Sequence, residues 1–509
     1  MRGRQWGLMV VALLVPAPGV AQQSQMAFTL AEGPYRAGFR NVNLTDPTRS
    51  WSGDYARGPG ARPLQVSIWY PARPAAGERP MRYAEYLELR ALEGGAAGYT
   101  AEGRARAIAM ALPGDSLRRW NESGAPTRAY RDAPAAAGRF PVVLYAPSFN
   151  APSTENSVLA EYLASQGYVV IASPCMGWFG RFMEETALGV EAQVRDLAVL
   201  LEYARRLPEA DTTQVAAMGF SWGGISNVVF AAREPRVRAL VSLDGTIAYR
   251  WRLFRASVAG DPALVEAPFL FLQSAAMPID TARKYGVDTI PAVFDSLPYA
   301  DLYRVQFHQL VHQNFGAEFV RLLPRGPGEE SQATVNYGFE QIARYVLAFL
   351  DAKLKGSREG AAFLARTPDA NGVRERFATA TPIPGRHPAE HLMAFGRALG
   401  AGGAARAPEV LAEIRRNNPR YTLPEMDVNT WGYTLLAAGR VAEAIGVFTL
   451  NTVLYPQSGN VWDSLGEATA AGGDVGKAIE YYEKSLGLDP GNENARRQIR
   501  RLRGVGGTW

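Results

Sequence analysis

The sequence has few residues of the types that build disulfides and metal sites. Its 509 residues include one cysteine and four histidines. One cysteine cannot form an internal disulfide, so an oxidising compartment would leave the fold without cross-links. The sequence contains neither a His-Glu-x-x-His string nor paired cysteines, the usual zinc-ligand patterns. We therefore predict no metal and no other cofactor. Cys175 is a weak candidate nucleophile, because no histidine lies near it in the sequence.

An excess of charge of one sign and long apolar runs are also missing. The chain has 54 Lys and Arg against 49 Asp and Glu, and the net charge of +5 is spread without a basic stripe. A nucleic-acid-binding protein would show such a stripe, so we exclude nucleic acid as a partner. Beyond the N-terminus no stretch approaches the roughly 18 apolar residues that a membrane span needs.

The N-terminus has the three parts of a secretory signal peptide. Arg2 and Arg4 give a positive region, residues 8–15 are apolar, and residues 19–21 supply small side chains before a cleavage site. A membrane anchor left in place is the alternative, but the apolar run is short for a span. We expect residues 1–21 to be a signal peptide and the protein to be exported, to the periplasm or the medium of a bacterium.

The middle of the chain alternates apolar runs with amphipathic stretches. Strands are predicted at 64–70, 142–146, 168–173, 215–219, 238–243, 268–273 and 303–307, and helices at 155–167, 190–207, 223–235 and 337–354. Near-continuous apolar strands that alternate with helices indicate a mostly parallel sheet with helices on both faces. We predict one α/β domain over residues 28–355.

Two segments depart from this alternation. Residues 81–138 contain helix-like stretches and a loop, and could be either a cap over a site or a helical excursion on the rim. Residues 356–390 are rich in Gly, Pro, Arg and Thr with little periodicity. This composition predicts a linker or a strap packed across the domain.

The C-terminal part is helical in pattern and repeats itself. Small, aromatic and proline positions recur after 34 residues, where Gly432, Ala444, Phe448 and Pro456 correspond to Gly466, Ala478, Tyr482 and Pro490. This is the tetratricopeptide pattern, in which small residues let paired helices approach closely. We predict an all-α tetratricopeptide domain over 391–505, with clear repeats at about 425–458 and 459–492. It would either pack on the α/β domain or bind a protein partner.

One serine lies in a motif typical of nucleophiles. Gly219, Ser221 and Gly223 form G-x-S-x-G, a weak signal alone in a chain with 51 glycines. The run before it is β-rich and the run after it is helical, which is the context of the nucleophile elbow in α/β-hydrolase folds. N–H groups at the helix start would favour an oxyanion. Ser116, in a Gly-Asp-Ser-Leu string of another esterase class, lacks the preceding strand.

A nucleophilic serine needs a base and an acid, and in this fold they follow in the order acid, then histidine. His308 and His312 follow Ser221 within the predicted domain. We favour His312, because it lies beyond the last strand, at the sheet edge where such sites form. Asp244 ends one buried strand and Asp280 follows the next. Both remain candidates for the acid, with Asp244 slightly ahead.

The segments GFSWGG, LDG and VHQNF occur in this order and resemble the platelet-activating factor acetylhydrolase group of α/β-hydrolases. That group is related more broadly to secreted bacterial esterases and dienelactone-hydrolase-like proteins. The similarity covers roughly residues 60–350. It implies a serine hydrolase for small-molecule or lipid carboxylic esters, with Ser221 as nucleophile, Asp244 as acid and His312 as base.

The same resemblance implies an oxyanion hole and shows two departures. The backbone N–H groups of Trp222 and Phe149 correspond to the oxyanion donors. Members of the group often have His-Gly in the loop before Phe149, where this chain has Pro147-Ser148, and a histidine where it has Phe220. The departures motivate an alternative, a non-catalytic hydrolase fold whose repeats bind a protein. A peptidase on the same fold is a further alternative.

Overall fold

The computed structural model describes most of the chain, in several ranges. These are residues 24–52, 60–90, 93, 121–257, 260, 262–275, 297, 300–323, 329–385, 406–417 and 423–504. The predicted signal peptide, the alternative serine Ser116 and the alternative acid Asp280 lie outside the described residues.

A ten-stranded mixed sheet forms the centre of the α/β part. Its strands are β1 (Arg36–Trp51), β2 (Gly60–Ala72), β3 (Ala129–Arg131), β4 (Phe140–Ala146), β5 (Val169–Ala172), β6 (Ala210–Phe220), β7 (Val237–Leu243), β8 (Phe269–Gln273), β9 (Leu302–Phe307) and β10 (Ala378–Ile383). They lie in the order β10-β9-β8-β7-β6-β4-β5-β2-β1-β3. The block from β5 to β9 is parallel, whereas β2 and β10 pair antiparallel with their neighbours. The predicted, mostly parallel sheet is confirmed.

Helices cover both faces of this sheet. In the described residues of the α/β part they are α1 (Tyr83–Leu89), α2 (Ser157–Ser165), α3 (Ala187–Ala204), α4 (Gly223–Arg233), α5 (Trp251–Ala256), α6 (Ala317–Leu322), α7 (Gln332–Leu354) and α8 (Arg358–Ala365). One core contains buried side chains of α2 and α7, and the other those of α3 and α4. None of the described helices combines the length and the apolar character that a membrane crossing requires.

Strand β4 shows why the parallel strands are continuous apolar runs in the sequence. Val143 and Tyr145 belong to one core, and Val142 and Leu144 to the other. Since successive side chains of a strand point to opposite faces, a strand covered on both faces must be apolar at every position. This pattern made the central strands predictable.

The prediction of a linker over residues 356–390 is wrong for the part that the structure describes. Helix α8 follows α7 closely, and β10 pairs antiparallel with β9 at the edge of the sheet. The α/β part therefore extends beyond residue 355. Strand β10 is largely exposed and bonds through its main chain, so its sequence has no apolar signal. The alternative interpretation, a packed strap, agrees with this arrangement.

The described parts of the 81–138 segment pack at the opposite end of the sheet. Strand β3 pairs with β1, and neither strand is among those predicted from the sequence. Tyr86 of α1 packs against Phe39 and accepts a hydrogen bond from Trp69 Nε1 at 2.8 Å. Of the residues of this segment that the structure describes, none lines the pocket described below.

The C-terminal part consists of helices, as predicted. They are α9 (Ala407–Asn417), α10 (Glu425–Ala437), α11 (Val441–Leu454), α12 (Gly459–Ala471), α13 (Val475–Leu488) and α14 (Glu493–Leu502). Helices α10 and α12 start 34 residues apart, as do α11 and α13. A Cβ on Gly432 would lie 2.4 Å from the Phe448 ring, and one on Gly466 would lie 3.1 Å from the Tyr482 ring. Small residues are therefore needed where the paired helices touch, and the tetratricopeptide assignment stays a prediction.

Candidate active site

Ser221 lies on a tight turn between β6 and α4. Its φ is +51°, a left-handed conformation that is costly for a residue with a Cβ. The flanking glycines allow this turn. A Cβ on Gly219 would lie 2.2 Å from the carbonyl oxygen of Gly223, and one on Gly223 would lie 1.9 Å from that of Ala146. The turn thus places the serine at the carboxyl edge of the parallel strands.

A Gly223→Ala substitution should destabilise the α/β part. The added Cβ would overlap the end of β4, and we expect a loss of at least about 1–3 kcal/mol in the free energy of unfolding. Gly487→Ala is a matched control, since a Cβ there meets nothing within 4 Å in an exposed helical position. It should be neutral or stabilising by up to about 1 kcal/mol. Equal urea midpoints for the two variants, followed by circular dichroism, would contradict this account of the turn.

The structure brings Ser221, His312 and Asp244 together through two hydrogen bonds. His312 starts a short 3₁₀ turn (His312–Phe315) beyond β9. Its Nε2 lies 2.8 Å from Ser221 Oγ, and its Nδ1 lies 2.7 Å from Asp244 Oδ2. His308 is not part of this arrangement, since its Nε2 lies 2.7 Å from the Thr379 hydroxyl of β10. A base within hydrogen-bond reach of a serine, itself oriented by a carboxylate, is the geometry of an activated nucleophile.

The Asp244 carboxylate is buried and held on its second oxygen as well. Asp244 follows β7 with a φ of +45° and is 1% exposed. Its Oδ1 accepts hydrogen bonds from Ser274 N at 2.9 Å and from the Tyr249 hydroxyl at 3.3 Å. Burial and then the nearby Asp244 charge raise the pKa of Tyr249, so its hydroxyl keeps its proton and can donate. These bonds fix the carboxylate in the orientation that His312 requires.

Phe220 packs against the imidazole of His312. The ring centroids lie 5.1 Å apart with an interplanar angle of 33°, and Phe220 is 1% exposed. In the sequence Phe220 is only a position at which this chain differs from the group that it resembles. In the structure it is an apolar support under the histidine, which restricts the directions the ring can take.

Trp222 and Phe149 meet beside the serine. Their rings make an edge-to-face contact at 5.4 Å and 81°, and both residues line the same pocket as Ser221. Trp222 directly precedes α4, and Phe149 lies in the loop after β4. Within the described part of the chain, neither backbone N–H donates to a protein acceptor. Both are therefore available to an oxygen bound at the serine.

The pocket in front of Ser221 has a volume of about 540 Å³. Its wall is largely aromatic and aliphatic, with an ion pair of 2.6 Å between Arg250 and Glu185. The described residues that line it are Phe149, Glu185, Ser221, Trp222, Asp244, Thr246, Tyr249, Arg250, Ser274, Ala275, Val311, His312 and Gln313. The sequence gives no sign of Glu185, Tyr249 and Arg250 as pocket residues, because they belong to no motif. Their only signal is that they follow the strand ends of β5 and β7.

The described residues support neither a nucleophilic role for Cys175 nor a metal site. Cys175 is fully buried, and burial raises the pKa of its thiol, which keeps it from forming the reactive thiolate. In the ranges that the structure describes, no group of three or more His, Cys, Asp or Glu side chains converges as a metal site would require.

A family profile and a solved structure match this chain. The profile of the X-Pro dipeptidyl-peptidase (S15) family matches residues 127–259, which include Phe149, Ser221 and Asp244 but not His312. A ferulic acid esterase from Streptomyces cinnamoneus has a solved structure with a TM-score of 0.51 and 21% identity, covering 71% of this chain and 99% of that one. The chain has an α/β-hydrolase fold.

A curated relative matches part of this chain in sequence. A carboxymethylenebutenolidase-like protein of Methylorubrum extorquens is 29% identical over 130 residues. The match covers 23% of this chain and 45% of the relative, so the chain spans less than half the length of that protein.

Proposed function

We propose that this α/β-hydrolase is a serine hydrolase of carboxylic esters, with Ser221 as nucleophile, His312 as base and Asp244 as acid. One observation supports the proposal most. A chain of hydrogen bonds of 2.8 Å and 2.7 Å joins the three side chains at a strand-to-helix turn that faces a pocket. The same geometry activates serine on several unrelated folds.

The proposed reaction has two acyl-transfer steps. Ser221 Oγ attacks the ester carbonyl carbon, and its proton passes to His312 Nε2. Asp244 stabilises the resulting imidazolium through Nδ1–H, while the N–H groups of Trp222 and Phe149 bind the oxyanion. The tetrahedral intermediate expels the alcohol, which takes the proton from Nε2. Water then attacks the acyl-enzyme by the same route and releases the acid.

The pocket wall and the relatives favour a compact, apolar substrate. Phe149, Trp222, Tyr249 and Val311 present ring and methyl surface, which favours a planar or short aliphatic group through apolar burial. The curated relative is named for a lactone hydrolase, and a lactone is an internal ester. The ferulic acid esterase is similar in fold alone.

A peptidase is the second candidate, because the S15 profile covers the serine and the acid. An enzyme that removes X-Pro dipeptides needs a carboxylate to bind the substrate's amino terminus. Of the two carboxylates among the described lining residues, Asp244 bonds His312 and Glu185 pairs with Arg250. The pocket therefore offers an N-terminal ammonium group no uncommitted partner among these residues, which favours esters over dipeptidyl substrates.

A substrate panel tests this choice. We expect the purified protein to hydrolyse p-nitrophenyl acetate and butyrate, with kcat/KM falling for long acyl chains. We expect no turnover of Ala-Pro p-nitroanilide. Amide cleavage that matches ester cleavage in kcat/KM would favour the peptidase instead.

The proposal includes export and a binding role for the C-terminal helices. Export rests on the N-terminal sequence alone, and a protein that stays in the cytoplasm with residues 1–21 attached would contradict it. The 34-residue spacing of the paired helices supports tetratricopeptide-like repeats. Such repeats pack in cis or bind a protein partner. Cross-linking of the purified chain between helix α12 and the α/β part would favour packing in cis.

A further inference from the structure

Glu155 is a buried carboxylate behind the loop that contains Phe149. It is 1% exposed, and its hydrogen-bond donors among the described residues are neutral. They are Ser148 N at 2.9 Å, the Ser148 hydroxyl, and the Tyr145 hydroxyl at 3.0 Å. Burying a carboxylate without a cation costs free energy. We therefore attribute a specific role to the hydrogen bonds that Glu155 accepts from the loop.

These bonds fix the residue that precedes Phe149. Glu155 accepts from both the N–H and the hydroxyl of Ser148, which leaves the following peptide little freedom. On the other side, Asn150 has a φ of +60°, and its Oδ1 accepts from Met183 N at 2.7 Å. Phe149 is thus held between two anchored neighbours, and its N–H keeps one direction.

Residues next to Glu155 also join this loop to the turn that contains His312. Asn156 Oδ1 accepts from Ala317 N at 2.7 Å. Its Nδ2 donates to the Tyr145 hydroxyl at 2.7 Å and to the Phe315 carbonyl oxygen, in the turn that contains His312, at 3.2 Å. The Glu155 carbonyl oxygen accepts from Glu318 N at 2.9 Å. The loop with Phe149 and the turn with His312 therefore share one buried hydrogen-bond network.

We propose that Glu155 is a positioning residue of the ester-hydrolase site, whose carboxylate orients the Phe149 N–H toward the oxyanion through Ser148. The inference rests on the proposed function. It also accounts for a departure noted in the sequence. Where the resembling group often has glycine, this chain has Ser148, and Glu155 bonds the added hydroxyl.

The role makes activity depend on the charge of Glu155. Burial raises its pKa to about 7, against the opposing effect of the Ser148 bonds. The titratable groups that face it are Tyr145 on β4, Glu318 on α6 and Cys175 after β5. Burial raises the pKa of all three. As the pH falls through about 7, Glu155 takes up a proton and one accepting oxygen becomes a donor, so the orienting bonds weaken.

Glu155→Gln tests the role, with Glu161→Gln as the matched control. Gln keeps the size of the side chain but replaces one accepting oxygen with an NH₂ group. Glu161 is similarly buried on α2, but it accepts from the Tyr86 hydroxyl at 2.8 Å and Arg128 N at 2.9 Å, away from the Phe149 loop. On a p-nitrophenyl ester we expect kcat to fall about 10–100-fold in Glu155→Gln with KM nearly unchanged. The control should stay within about threefold of wild type.

The pH profile separates positioning from general stability. The ratio of wild-type kcat to Glu155→Gln kcat should be about 10–100 above pH 7 and should fall toward one as the pH drops through about 7, because a protonated Glu155 resembles the glutamine. A kcat equal to that of the control, a loss confined to KM, or a ratio that does not change with pH would overturn the proposal.

A second variant decides the matter if Glu155→Gln does not fold. Ser148→Ala removes the hydroxyl and keeps the N–H, and we expect kcat to fall about three- to tenfold at constant KM. No change in kcat would overturn the positioning role. A wild type without esterase activity would refute the proposed function instead, whereas an active wild type with an unaffected Glu155→Gln would refute only the role of Glu155.

Discussion

Replacing Ser221 with alanine should lower kcat for a p-nitrophenyl ester by about 10⁵- to 10⁶-fold. The loss is this large because the proposed reaction forms its covalent intermediate on Ser221 Oγ. Alanine keeps the Cβ of serine and removes only the hydroxyl group. We therefore expect the variant to fold and its KM to stay near the wild-type value. Stopped-flow and steady-state assays of the purified variant measure the effect.

Ser116→Ala is the control for this experiment. Ser116 belongs to the other esterase-like string in the sequence, and its loss should leave kcat within about twofold of wild type. Esterase activity that survives in Ser221→Ala and disappears in Ser116→Ala would reverse the assignment of the nucleophile.

Asp244→Asn should lower kcat by about 10⁴-fold. The carboxylate accepts from His312 Nδ1 at 2.7 Å, which fixes the tautomer that leaves Nε2 free to take the serine proton. An amide can donate to Nδ1 and so favours the wrong tautomer. In the wild type Asp244 Oδ1 accepts charge-assisted bonds from Ser274 N and the Tyr249 hydroxyl, and the neutral asparagine would lose this charge assistance as well.

Asp280→Asn is the matched control, because Asp280 is the alternative acid in the sequence. It should change kcat by no more than about threefold. A loss of about 10⁴-fold in Asp280→Asn, with Asp244→Asn close to wild type, would show that Asp280 and not Asp244 is the acid.

The central fold was predictable because burial on both faces makes a strand apolar throughout. Strands β4 to β8 carry that signal, and so does the strand-to-helix turn around Ser221. The outer strands β1, β3 and β10 do not, since an exposed edge strand is held by main-chain bonds that any sequence can make. Propensity therefore underestimates the extent of this sheet.

The candidate site was predictable where the chemistry requires one residue type at one place in the fold. Ser221, Asp244 and His312 each follow a strand, and the parallel topology brings strand ends to one edge. Glu155 gives no such signal, because a glutamate at the start of a helical pattern is normally on the solvated face. Its burial depends on partners from β4 and α6, and only the folded chain brings these together.

The most direct test of the central claim is the site at which a fluorophosphonate attaches. The reagent reacts with a serine that a neighbouring base activates, and tryptic mapping by mass spectrometry locates the adduct. We predict one adduct, on Ser221, whose formation slows in His312→Ala. An adduct on another serine, or no adduct on the folded wild-type protein, would contradict the assignment of Ser221 as an activated nucleophile.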